Sequence, residues 1–152
     1  MCGIAGIMVP DGKSPDASIL EAFARALGHR GPDGEGKYLA GAVAMVQTRL
    51  AVIDLKSGDQ PIYETGGSAL IANAEIYNYL ELRATLGGIP QSTQSDCEPP
   101  LHLYCRDGLS FAELLRGMYA IAIHDPVKAR LVLSRDPFGI KPLYYVETDD
   151  YF

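Results

Sequence analysis

The chain opens Met1-Cys2-Gly3-Ile4-Ala5-Gly6, and this start constrains the fold more than any later stretch. Ile4, Ile7 and Val9 read as a buried strand, so the first residues are expected to be held inside a sheet. If the initiator methionine is removed, Cys2 becomes the N-terminus and carries a thiol and a free α-amine on one carbon. The thiolate is the reactive form of cysteine, and an N-terminal amine can serve as its base. Such an amine titrates near about 7.7–8.0 and a free thiol near about 8.5. Part of the amine is therefore unprotonated at neutral pH, and no histidine is required. The plain alternative is that Cys2 is a small apolar residue opening a strand.

Bulk properties narrow the setting. With 152 residues, 47% of them hydrophobic and 21% charged, the chain suits one domain over 1–152 with a sizeable core. A formal net charge of −6 argues against a nucleic-acid surface. No apolar run approaches the roughly 20 residues of a membrane span. The start lacks the basic segment of a signal peptide, and Cys2, Cys97 and Cys105 make an odd count without a framework spacing. Both features lead to the expectation of a reducing cytoplasm with free thiols. Those cysteines with His29, His102 or His124 form no zinc-ligand spacing, because no Cys-x-x-Cys pair exists.

Along the chain, a turn is expected at 10–13 and a helix over 17–27, capped by Ser14 or Asp16 and stopped at Gly28. Residues 29–36 form a glycine-rich loop without a Walker lysine. Strands are predicted at 38–46, 49–53 and 68–74, with a hairpin tip at Gly66-Gly67. Helices are predicted over 75–86 and 99–106, and a shorter one from Ser110 to Leu115. Strands follow at 118–123, 130–134 and 143–146, and the chain ends in a strand-like stretch. Hairpin-like connections fit two antiparallel sheets covered by helices better than a doubly wound parallel sheet, so the fold class is α+β.

Four further segments accompany Met1-Cys2-Gly3-Ile4: His29-Arg30-Gly31-Pro32-Asp33-Gly34, Arg49-Leu50-Ala51-Val52-Ile53-Asp54, Asn73-Ala74-Glu75-Ile76-Tyr77-Asn78, and residues 135–145 from Arg135-Asp136-Pro137 to Leu143-Tyr144-Tyr145. Together they make the chain resemble the class II glutamine amidotransferases, in particular the glutaminase domain of glutamine-hydrolysing asparagine synthetases. The resemblance covers essentially the whole chain. It implies the N-terminal-nucleophile hydrolase fold, a four-layer α/β/β/α sandwich. It also implies hydrolysis of the glutamine side-chain amide, with ammonia delivered to ATP-dependent asparagine synthesis from aspartate.

By the same resemblance, Cys2 is the nucleophile, and Asn73 with the Ala74 N–H forms the oxyanion hole. Arg49 clamps the substrate α-carboxylate and Asp96 meets its α-ammonium, while a helix cap is the plain role for Asp96. Leu50, Ala51, Val52, Ile53 and Glu75 line the glutamine pocket, and residues 135–142 are structural. The resemblance implies no cofactor for this domain; ATP and magnesium would serve a synthetase domain in a longer chain, and a homodimer is compatible with it. Alternatives are a relative with another amide acceptor, or a silent docking module. This chain has Ala74 where the family usually has glycine, Gln47 where histidine is common, and Pro99-Pro100 in place of an apolar pair. A glycine there suggests positive φ, so Ala74 is expected to limit the rate.

Overall fold

The computed structural model describes residues 1–10 and 12–152. Asp11, in the expected first turn, lies outside the described residues. Four layers stack in the order helix, sheet, sheet, helix, as the α+β reading anticipated. The first sheet has strand order β1-β3-β2, from β1 (Gly3–Met8), β2 (Gly34–Ala40) and β3 (Val43–Arg49). The second has order β4-β5-β6-β7, from β4 (Ile62–Tyr63), β5 (Ala69–Ile76), β6 (Gly117–Asp125) and β7 (Arg130–Arg135). All these strand pairs are antiparallel.

Period-two alternation divides each central strand between two cores. On β3, Val43 and Met45 face the second sheet, where Ala69, Ile71 and Ala122 meet them together with Ile4 and Met8. Ala44 and Val46 face outward onto α1 (Ser18–Leu27), which buries Leu20 and Ala24. Beyond the second sheet, Leu70, Ala72 and Ile121 pack under α2 (Tyr79–Thr85), α3 (Glu98–Asp107) and a 3-10 helix (Gly108–Leu114). Each fully buried Leu or Ile in such a layer stabilises the fold by about 1.5–3 kcal/mol.

Four expectations need correction. The apolar run 38–46 is not one strand: Gly41, at φ 54°, turns the chain between β2 and β3. Residues 50–53, read as strand, are loop, because β3 ends at Arg49. The helix expected over 75–86 starts only at Tyr79, since Glu75 and Ile76 remain in β5, paired with Met118 and Gly117. Residues 143–146 form no strand. Phe152 does exchange two backbone hydrogen bonds of 2.8 Å with Met8 on the outer edge of β1.

Candidate functional site

Cys2 sits one residue ahead of β1. By alternation its side chain shares a face with Ile4 and Met8 and points towards the second sheet. The Leu50 N–H donates to Cys2 Sγ at 3.4 Å, and Arg30 Nε donates to the Cys2 carbonyl at 3.2 Å. Gly3 allows this placement: a Cβ there would lie 2.8 Å from Thr48 Oγ1 and 3.0 Å from Leu27 Cβ. The terminus is thus pinned between β3 and the end of α1.

Asn73 and Glu75 share the inner face of β5 with Ala69 and Ile71, so they look across at the sheet that carries Cys2. Asn73 is buried and its side chain has no hydrogen bond among the described residues. The Ala74 N–H follows from the ladder. Tyr119, opposite Ala74, directs its own backbone groups to Asp136, whose N–H donates to the Tyr119 carbonyl at 2.9 Å. In an antiparallel sheet, a residue on a central strand turns both groups to one neighbour. Ala74 therefore faces away from β6, like Ala72 and Ile76 on either side. The Ala72 N–H donates to Gln60 Oε1 at 2.6 Å and the Ile76 N–H to Asp96 Oδ2 at 2.7 Å. The Ala74 N–H lies between them and has no acceptor among the described residues. Its φ is not positive, against expectation, and its methyl packs on the outer core. The strand holds Ala74 in extended backbone, where alanine is unstrained.

Asp96 is buried and holds β5 through Ile76 instead of capping α3, whose preceding residue Cys97 makes no side-chain cap. Burial raises the Asp96 carboxyl above its ordinary pKa despite that bond. Burial also raises Glu75, with the Asp96 charge adding to it, while Lys141 and the chain's terminal ammonium pull it back. Burial and Asp96 push the Cys97 thiol well up, which keeps it an unreactive core thiol.

Arg49 is buried at the end of β3, but its fork is occupied. Nη1 donates to Asp59 Oδ1 at 2.7 Å, and Nη2 donates to the carbonyls of Ile53, at 3.3 Å, and Asp54. Of residues 50–53, Leu50 reaches Cys2, the Ala51 N–H donates to Asp33 Oδ2 at 2.9 Å, and the Val52 side chain points to solvent. Asp54 adopts φ 53° and binds the Ser57 hydroxyl and N–H and the Gln94 N–H. The Ser57 hydroxyl bond chiefly holds its carboxyl at about 2, and the Gln94 N–H, donating to the Asp54 carboxylate at 2.7 Å, ties this loop to the one that precedes Asp96. Sequence reasoning missed Asp33, Asp59 and Lys141 as neighbours of the site. Asp33 and Lys141 lie in segments that carry the resemblance but had no site role there, and Asp59 has no local signal, because loops return all three from elsewhere in the chain. Gln47 is buried opposite Ile4, and its Nε2 lacks a partner among the described residues.

Among the described residues, no three His, Cys, Asp or Glu converge as a metal site. The arrangement can hold a nucleophilic sulfur opposite an unspent backbone N–H and an amide, with buried carboxylates and a guanidinium at the far end. A model of the glutamine amidotransferase domain matches residues 1–152. The chain is 42% identical over 151 residues to an asparagine synthetase [glutamine-hydrolyzing] 2 of Bacillus subtilis, covering 97% of this chain and 20% of that protein. It is 39% identical over 146 residues to an asparagine synthetase [glutamine-hydrolyzing] 2 of Oryza sativa subsp. japonica, covering 95% of this chain and 25% of that protein. The chain thus spans a fifth to a quarter of the length of these relatives. Among solved structures, a glutamine phosphoribosylpyrophosphate amidotransferase of B. subtilis, complexed with ADP and GMP, matches with a TM-score of 0.58. At 24% identity, over 97% of this chain and 34% of that one, it shows a shared fold.

Proposed function

The chain belongs to the glutamine amidotransferase domain family, and from that premise we propose that it hydrolyses the side-chain amide of glutamine with Cys2 as N-terminal nucleophile. The observation that carries this reading is the seat of Cys2. Its sulfur is held by the Leu50 N–H on the face opposite Asn73. Removal of Met1 exposes the Cys2 amine, which takes the thiol proton. The thiolate attacks the amide carbon, and Asn73 Nδ2 with the Ala74 N–H bears the oxyanion. Losing one such donor costs about 10²–10³ in rate. The carbon–nitrogen bond breaks, ammonia leaves with the proton returned by the Cys2 ammonium, and water hydrolyses the thioester to glutamate. Asp96 and Glu75 would meet the substrate ammonium, and Arg49 its carboxylate.

The identities with asparagine synthetases support aspartate, activated by ATP, as the final acceptor of the ammonia. ATP and magnesium would then serve a synthetase domain of the same longer chain, and the glutaminase step uses no cofactor. Cys2→Ala in the full-length protein should abolish ammonia release from glutamine while synthesis from free ammonia survives. Continued glutamine hydrolysis by Cys2→Ala would overturn the assignment. Synthesis of another amide in place of asparagine would overturn the acceptor alone.

A further inference from the structure

Lys141 is 3% exposed. A lysine is almost never that buried unless it is paired. Among the described residues, no acidic side chain forms an ion pair with it. Its Nζ instead lies 3.5 Å from Met1 Sδ. An ammonium desolvated with no carboxylate in direct contact, Glu75 acting on it only at a distance, carries a penalty that its retention has to offset. Two hydrogen bonds hold its backbone. Asp136 Oδ2 accepts the Lys141 N–H at 3.0 Å, and Arg135 Nε donates to the Lys141 carbonyl at 3.1 Å. Asp136 is bound in turn to Tyr119, the residue opposite Ala74. The loop at 136–141 therefore delivers one ammonium to the start of the chain and holds it there.

We propose that Lys141 is a positioning residue for glutamine hydrolysis, its buried ammonium holding the mature Cys2 amine in the neutral form that accepts the thiol proton. The inference rests on the function proposed above. When Met1 leaves, Lys141 loses its side-chain contact and faces the new terminus. Nζ lies 3.5 Å from Met1 Sδ. The methionine side chain spans at most about 6 Å back to the Cys2 nitrogen, which bounds the separation at about 10 Å. At that range, and with a protein-like dielectric, a like charge lowers an amine's pKa by about half a unit to one unit.

The other charged groups near the amine are Glu75 on β5, on which Asp96 ahead of α3 also acts, Arg30 on the Cys2 carbonyl and the Cys2 thiol itself. Glu75 stabilises a charged amine, and Lys141 offsets it. Removing the charge at 141 takes away a like charge and leaves only Arg30 to offset Glu75. Both changes favour the protonated amine, so the sign is the same from either side. The amine and thiol of one residue are coupled, so the observable is the macroscopic titration of the pair.

The test uses full-length protein whose N-terminus is Cys2 by mass spectrometry. It compares wild type with Lys141→Met and Lys141→Arg, and with Lys141→Gln should the methionine variant not fold. Two readouts are followed from neutral to alkaline pH: kcat/KM for glutamine hydrolysis, and the Cys2 alkylation rate with iodoacetamide, read by peptide mass spectrometry. In Lys141→Met or Lys141→Gln, the acid limb of both profiles should move up by about half a unit to one unit, and Lys141→Arg should restore the wild-type position. A purely structural role would alter melting and leave the limb in place. Profiles that coincide in all variants overturn the proposal. The alkylation readout needs no turnover. Wild-type protein that alkylates at Cys2 but releases no ammonia would sink the glutaminase reading, whereas a titration indifferent to residue 141 sinks this one.

Discussion

The pair between Arg49 and Asp59 leads to a substitution that should improve the enzyme. Arg49 Nη1 meets Asp59 Oδ1 at 2.7 Å, while the Arg49 side chain is 9% exposed and that of Asp59 79% exposed. The carboxylate of Asp59 thus occupies, from the solvent side, the guanidinium assigned to the α-carboxylate of glutamine. Both Nη2 contacts go to the carbonyls of Ile53 and Asp54, which shape the loop. A substrate carboxylate that takes the Nη1 donor now bound to Asp59 must exchange with it. Because the Asp59 side of the pair is open to solvent, the range for exposed pairs applies, about 0.2–1 kcal/mol. Asp59→Asn should therefore lower KM for glutamine by about 1.4- to five-fold. kcat should stay unchanged, because Asp59 contacts the end of the pocket away from the amide. The assay is ammonia release over a glutamine series, on protein with Met1 removed. In an Arg49→Lys background, where the fork is absent, the benefit should shrink. An unchanged or higher KM in Asp59→Asn would refute the reasoning, and would mean that Asp59 props Arg49 for the substrate instead of standing in for it.

Two further outcomes are expected. Ala74→Gly should leave kcat for glutamine unchanged and cost up to about 1 kcal/mol of stability, by loss of a packed methyl and added chain entropy; denaturant midpoints measure the cost, and a higher kcat would revive a left-handed backbone at this position. Glu98 is fully buried and accepts bonds from the N–H and hydroxyl of both Ser92 and Thr93. Burial pushes its carboxyl up, but those bonds outweigh it and the pKa falls below the ordinary 4.5. Because the folded value is the lower one, its stabilisation is present above the unfolded value and lost as pH falls through the folded one. Glu98→Gln should therefore cost about 2–3 kcal/mol at neutral pH, and the gap from wild type should narrow in acid; a gap in urea midpoints that is constant with pH would count against this account.

Much was legible in the linear order of residues. Cys2 ahead of an apolar strand, the Arg49 and Asn73 segments and the hairpin spacing pointed to a two-sheet sandwich and an N-terminal thiol. These features are local: strand alternation and turn residues act over a few positions, and a motif lies in contiguous chain. Boundaries were harder wherever a long-range partner overrode local preference. Glu75 and Ile76 sit in a helical-looking run, yet pairing with β6 keeps them in the strand. The backbone at Ala74 was misjudged for the same reason, because its conformation and its unspent N–H follow from register with Tyr119, which lies 45 positions later in the chain. The residue types at the site were thus determined by the sequence alone. Tertiary structure alone decided that Asp59 occupies the Arg49 fork, that Asp96 ties β5 instead of capping α3, and that Lys141 is buried against the first residue. Those contacts join loops remote in sequence, and the buried carboxylates and ammonium acquire their character only from the desolvation and neighbouring charges that folding creates.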